Sequence, residues 1–347
     1  MLHNVLQNAP KHILIIRLSA MGDVAIMVPV LRTLVKQHPH LKITVLTRAF
    51  FKPLFRDLKN VSVVVADVKG AHKGINGLYK LTKQLNATYS FCAVADLHNV
   101  LRSKIIRTFI KSKHIAVIDK GREEKKALTT GEIFKQLKTT HQRYADVFFK
   151  LGFPVDLSQP IFPKPKTINT TLLGKKIDKW IGIAPFAAHS GKMYPLDLMG
   201  KVVEALSKQY KIILFGGGKE EMEILDTFEA KFENCVNLAG KLSFEEELDI
   251  ISNLDVMLAM DSGNGHLAAM FGVKTIAIWG VTHPFAGFAP FNQPKNYMLL
   301  ADRAKYPKIP TSVYGNKVPK GYENAAGSIT YKMVVDKVKE AIGGSEK

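Results

Sequence analysis

The chain has 347 residues, 46% of them hydrophobic and 23% charged, proportions that exclude a disordered, collagenous or coiled-coil protein and suit two domains of ordinary size. Its two cysteines, Cys92 and Cys235, both lie in apolar stretches, which excludes a disulfide framework and a Cys-built zinc site and points to a reducing compartment. Lys and Arg outnumber Asp and Glu by 49 to 30, and the excess is uneven: residues 1–160 hold 26 basic and 10 acidic residues (+16), residues 161–347 hold 23 and 20 (+3).

In chain order, HILIIR (12–17) is a short apolar run, followed by the loop LSAMGD and a helical pattern from Val24 to Gln37. Apolar runs bounded by turns read as buried parallel strands. They recur at ITVL (43–46), VSVVVA (61–66), FCAVAD (91–96) and HIAVID (114–119), with helical stretches at 74–86 and 101–113. A Pro-rich linker near 155–175 separates this half from a second alternation: WIGIAPF (180–186), KIILFGG (211–217), DVMLAMD (255–261) and KTIAIWG (274–280). A last helical pattern, 329–342, has an amphipathic face.

Two successive βα-alternating halves imply an α/β protein of two doubly wound parallel sheets, with ligands outside the carboxyl ends of the strands. The expected domains are 1–165, basic, and 166–328, with a terminal helix, 329–347, packing across them. Residues 1–10 have no basic segment leading into an apolar core, and no apolar run approaches the roughly 20 residues of a spanning helix, so a soluble cytoplasmic protein is expected.

The loops after the strands carry the chemistry. Asp261-Ser262-Gly263-Asn264-Gly265-His266 opens a helix directly after a strand. Glycines admit close backbone approach, and free N–H groups at a helix start favour an anion such as a pyrophosphate. Ser262 equally suits an ordinary helix cap. Lys192 ends a small, glycine-containing loop after WIGIAPF and suits either a phosphate contact or a solvated surface. Gly216-Gly217-Gly218 precedes Lys219-Glu220-Glu221 and matches neither a Walker A loop nor GxGxxG. A glutamate there can hold ribose hydroxyls or simply favour a first helical turn.

In the basic half, Asp23 follows the first strand and is placed either to accept a proton from an attacking hydroxyl or to cap a helix. Asp96-Leu97-His98 ends another strand with groups of catalytic type. Arg102, Lys104, Arg107, Lys111 and Lys113 follow without an acid among them, interleaved with apolar residues, and Arg122 and Arg143 lie further on. Such segments suit anionic lipid heads or a phosphorylated glycan. The absence of a DxD pair, HExxH or Cys/His cluster gives no expectation of a metal, and no cofactor is expected.

Together, ILIIRLSAMGDVAIMVPVLRTL, ADLHNVLRS, His141-Gln142-Arg143-Tyr144 and MDSGNGHLAAMFGVKTIAIWGVTHP resemble glycosyltransferase family 9, the ADP-heptose:lipopolysaccharide heptosyltransferases, over nearly the whole chain. The resemblance implies a GT-B fold, two Rossmann-like domains facing a central cleft, and inverting, metal-independent transfer of a heptose from ADP-heptose to the lipopolysaccharide inner core. It implies Asp23 as base and Lys192 as a catalytic contact to the donor phosphates. Glu220, Glu221, Asp261, Ser262, Gly263 and His266 would complete the donor site. Ser19, Met21, Gly22, Asp96, His98, Arg102, Arg122 and Arg143 would form the acceptor side. The acceptor would be an anionic Kdo–lipid A glycolipid at the inner face of the inner membrane, which fits the +16 half. The chain departs from the family at Ala187-Ala188, where Ser or Thr is usual, and at Asn264-Gly265, where a bulkier pair is common. Two alternatives stand beside this reading: a GT-B transferase using another nucleotide sugar, and a non-enzymatic binder of lipid or nucleic acid. No nucleic-acid motif supports the latter.

Overall fold

Strands that are apolar on both faces need cover on both faces, and the computed structural model provides it in two α/β units. It describes residues 11–168, 171–174, 176 and 178–343. The expectations for the first ten residues and for the helix beyond 343 lie outside the described residues. One unit comprises the chain up to Lys120 plus Thr140–Ile161; the other comprises Gly121–Thr139 and Phe162 onwards.

In the first unit, β1 (His12–Ile16), β2 (Lys42–Thr47), β3 (Val61–Val65), β4 (Ala93–Asp96) and β5 (His114–Val117) form a sheet in the order β3-β2-β1-β4-β5. All four pairings are parallel, with Ile16 opposite both Leu46 and Asp96. Helix α1 (Met21–Gln37) follows β1, and α2 (Gly74–Thr88) and α3 (Leu101–Phe109) cover Leu14, Ile16, Leu46 and Val94. Helix α1 starts three residues before its apolar periodicity does, because the Asp23 carboxylate accepts the Ala20 N–H at 3.3 Å and so closes the first turn. Helix α3 ends at Phe109 rather than 113: Ile110 turns to extended backbone.

Helix α4 (Arg122–Thr130) corrects the expected boundary. A boundary at 165 keeps residues 121–139 with the N-terminal domain, yet Leu128 and Leu137 are buried against Ala286, Phe285 and Phe288 of the second unit. The Leu137 N–H donates to the Phe285 carbonyl at 2.9 Å. The short apolar face of this segment thus belongs to the second core. The chain returns to the first unit with α5 (Thr140–Lys150).

The second unit adds β6 (Trp180–Ala184), α6 (Leu196–Ser207), β7 (Lys211–Leu214), α7 (Lys219–Lys231), β8 (Cys235–Asn237) and α8 (Phe244–Ile251). It continues through β9 (Val256–Met260), α9 (Gly263–Ala269), β10 (Lys274–Trp279), β11 (Met298–Leu300) and α10 (Tyr331–Gly343). Its sheet order is β11-β10-β9-β6-β7-β8, again parallel throughout. Helix α10 buries Val334, Val338 and Ala341 and packs on α6, β9 and β10. Among the described residues no helix is long and apolar enough to cross a membrane.

Candidate active site

Each strand order contains a switch point, where successive crossovers leave a central strand in opposite directions and the loops diverge to open a crevice. In the first unit it falls between β1 and β4, in the second between β6 and β9. The candidate residues gather at those two places.

At the first switch point Arg17 closes β1 and is almost wholly buried. Its Nη1 donates to the Leu97 carbonyl at 2.6 Å and its Nη2 meets the Asp23 carboxylate at 2.5 Å. The guanidinium also lies 6.0 Å from the centre of the Tyr144 ring, whose hydroxyl donates to the Asp23 carbonyl at 3.2 Å. Asp23 keeps 29% of its side chain exposed.

On the β4 side, the Asp96 carboxylate is fully buried. It accepts the His98 and Asn99 N–H groups at 2.9 and 2.8 Å and faces Arg107 Nε at 3.0 Å. Those bonds shape the turn that aims His98 back at β1. The Leu18 N–H donates to His98 Nδ1 at 3.4 Å, leaving the proton on Nε2, 3.4 Å from the Ser19 hydroxyl. Burial, with Arg17 and Lys120 adding to it, pushes the His98 pKa down to about 3, so the ring is neutral at ordinary pH and a feeble proton acceptor. Met21 and Gly22 are half-buried in the first turn of α1.

At the second switch point, the Lys192 ammonium lies 2.8 Å from Asp261 Oδ2, which also accepts the Thr282 hydroxyl at 2.9 Å. The Lys192 turn is seated on glycines. The Gly191 carbonyl accepts the Val281 N–H at 2.8 Å, a Cβ on Gly280 would stand 2.3 Å from that same carbonyl oxygen, and Gly315, at φ +79°, lies against the Lys192 side chain. Ser262 holds the N-cap position of α9, but its hydroxyl makes no capping bond. It is buried and has no hydrogen-bond partner among the described residues. The capping reading of Ser262 is therefore not the one adopted. Gly263 opens α9 half-buried, and His266 is buried one turn on.

The remaining candidates scatter. Glu221 accepts the Gly217 N–H at 2.8 Å and fastens the glycine loop after β7, while Glu220 is exposed beside it. Arg143 is buried and donates to the Asp119 carbonyl at 3.3 Å. Arg102 is exposed at the start of α3. Arg122, expected beside the acceptor residues of the first unit, opens α4 in the second, for the packing reason given above. Among the described residues no group of three or more His, Cys, Asp or Glu side chains is placed to hold a metal ion.

Sequence reasoning missed three supports: Arg17, Thr282 and Tyr144. A charged residue directly ending the apolar run HILII was the available signal for Arg17; Tyr144 and Thr282 stand inside the motifs His141–Tyr144 and GVTHP, but only the structure shows which groups they hold.

Two parallel-sheet units with polar side chains gathered at their switch points have the GT-B architecture. The model of glycosyltransferase family 9 (heptosyltransferase) matches residues 78–316, and the chain belongs to that family. It is 28% identical to lipooligosaccharide heptosyltransferase 2 of Haemophilus influenzae, over 95% of this chain and 99% of that protein. A crystal structure of a family 9 glycosyl transferase from Veillonella parvula matches with a TM-score of 0.76 at 19% identity, covering 99% and 100% of the two chains. The Escherichia coli heptosyltransferase WaaC, solved with ADP, matches at 0.70 and 18%, covering 95% and 99%.

Proposed function

We propose that this family 9 glycosyltransferase moves a heptose from ADP-heptose to the Kdo-containing inner core of lipopolysaccharide, with inversion at the anomeric carbon. The observation that carries the reading is the Lys192 ammonium, fixed 2.8 Å from Asp261, whose chain neighbour Ser262 has a buried hydroxyl with no hydrogen-bond partner among the described residues. A leaving diphosphate needs a fixed cation and fixed donors where its charge develops. Lys192 and Ser262 supply both, and the reading is therefore of metal-independent transfer.

On the acceptor side, Asp23 is the base. Asp96 is fully buried with its oxygens turned inward, and His98 is too weakly basic, whereas Asp23 is oriented by Arg17 and still partly open. The Asp23 carboxylate takes the acceptor hydroxyl proton as the oxygen bonds the anomeric carbon and the bond to the diphosphate breaks, releasing ADP. Ser19, Met21, Gly22, His98, Arg102 and Arg143 bind the acceptor, with Asp96 positioning His98. Glu221, Glu220, Gly263 and His266 complete the donor pocket. The relatives include a lipooligosaccharide heptosyltransferase and a lipopolysaccharide core heptosyltransferase, so the acceptor is read as a glycolipid met at the cytoplasmic face of the inner membrane.

The test is thermal stabilisation by ADP, UDP, GDP and CMP, followed by transfer from ADP-heptose with and without a chelator. Selective stabilisation by ADP and chelator-resistant turnover are expected. A preference for UDP or GDP would keep the transferase and overturn the heptose donor.

A further inference from the structure

We infer that the α2–α3 face of the first unit is the surface by which the protein docks on an anionic lipid bilayer. Its purpose rests on the reading of a lipid-anchored acceptor, whereas the face stands on its own charge and exposed apolar side chains. Residues 68–118 contain nine Lys and Arg and a single acid, Asp96, and that acid is fully buried against Arg107. The neighbouring Asp67 carboxylate is turned onto the Gly70 and Ala71 amides. Lys69, Lys73, Lys80, Lys83, Lys104 and Lys111 are all exposed.

Charge alone suits any polyanion; the apolar residues among these lysines decide the occupant. Ile75 and Tyr79 stand one turn apart on α2, and Leu101 and Phe109 lie two turns apart on α3. Their exposures are 63%, 49%, 73% and 39%. The two stripes join where the Tyr79 and Phe109 rings meet edge to face at 5.1 Å. A bilayer surface takes both components: side chains of this kind enter the headgroup–acyl boundary while the ammonium groups meet lipid phosphates. A nucleic acid would use the cations but leave Ile75 and Leu101 in water, and the two rings here, set edge to face, do not form a platform of parallel faces for successive bases. The position also serves the chemistry. Helix α3 begins three residues after His98, so a glycolipid leaving the bilayer at this face meets the acceptor residues of the same unit.

The experiment is co-sedimentation of the full chain with phosphatidylcholine vesicles, with and without phosphatidylglycerol, at several salt concentrations. The wild-type protein should pellet only with the anionic vesicles and release as salt rises. Lys80→Glu/Lys104→Glu should weaken that binding by about tenfold or more, and Ile75→Ser/Leu101→Ser severalfold, the latter without changing the salt dependence. All four side chains are exposed, so folding is retained, and Lys208→Glu on the second unit should bind like the wild type. Variants that pellet like the wild type overturn the inference, as does equal binding to neutral vesicles. Tighter binding to a single-stranded oligonucleotide, lost in the same variants, would reassign the face to nucleic acid. Transfer to a delipidated, water-soluble acceptor should be unchanged in these variants. A chain that pellets as described yet transfers no heptose would leave this surface standing and overturn the activity instead.

Discussion

Arg17 and Asp23 lie on either side of the turn from β1 to α1, and their side chains meet at 2.5 Å, the guanidinium 6% exposed and the carboxylate 29%. One partner is thus anchored inside the unit, by the Leu97 carbonyl and the Tyr144 ring, while the other reaches outward. A base needs this asymmetry: its orientation is set by a buried group, and one face of it stays available to a hydroxyl.

Asp23→Asn keeps the shape and the oxygen that faces Arg17 but removes the proton acceptor. Turnover should fall on the order of a hundredfold or more. Stabilisation by ADP should not change, since the groups proposed to hold ADP lie in the other unit. Single-turnover transfer together with an ADP melting series checks both halves; retained turnover would move the base elsewhere.

The Lys192–Asp261 pair is a stabilising contact as well as the proposed donor-phosphate site, and a double-mutant cycle separates the two. Lys192→Met leaves a buried carboxylate with only the Thr282 hydroxyl, at a cost of about 3 kcal/mol. Lys192→Met/Asp261→Asn should recover most of that stability in denaturant titration. It should not recover transfer, because the cation facing the leaving group is still missing. Recovery of turnover in the double variant would contradict the role given to Lys192.

The two parallel sheets were legible because parallel strands buried on both faces are written as unbroken apolar runs, whereas the strand orders, and with them the switch points, come from the structure. The loops after the strands followed from the same runs, and Asp23, Lys192, Asp261 and Ser262 all stand in them. What the sequence concealed is pairing across distance. Arg17 with Leu97, His98 with Ser19, and Lys192 with Asp261 are joined by register between strands that are not neighbours in the chain. The fate of residues 121–139 was hidden for the same reason: a short segment with two leucines has no local preference between two cores, and only the partners Ala286, Phe285 and Phe288 decide it.

Gly280→Ala tests the seat of the Lys192 turn without touching a charged group. The added Cβ would stand 2.3 Å from the Gly191 carbonyl oxygen, a backbone atom held by the Val281 N–H, so the turn itself must move. Overpacking of this kind costs about 1–3 kcal/mol. The displaced ammonium should also raise KM for the donor about tenfold or more. A crystal structure of the variant with an unmoved turn and normal donor binding would refute the seating argument.

His98 and His283 make stability depend on pH. Burial and the Arg303 charge push the His283 pKa down to about 4, and the Phe285 N–H donates to its Nδ1 at 3.1 Å, a bond that only the unprotonated nitrogen accepts. Both folded pKa values lie below that of an unfolded histidine, near 6.5, so between pH 6.5 and pH 4 the unfolded chain binds more protons than the native one. Stability then falls as pH falls through that window. At about pH 5 each histidine should cost about 1–2 kcal/mol after allowance for solvent screening. Melting temperatures at about pH 7 and about pH 5 should therefore separate by several degrees in the wild type. His98→Gln and His283→Gln should each reduce that separation, the double variant most. If the double variant keeps the whole wild-type decrease, the acid sensitivity belongs to other groups and neither ring is held neutral by its surroundings.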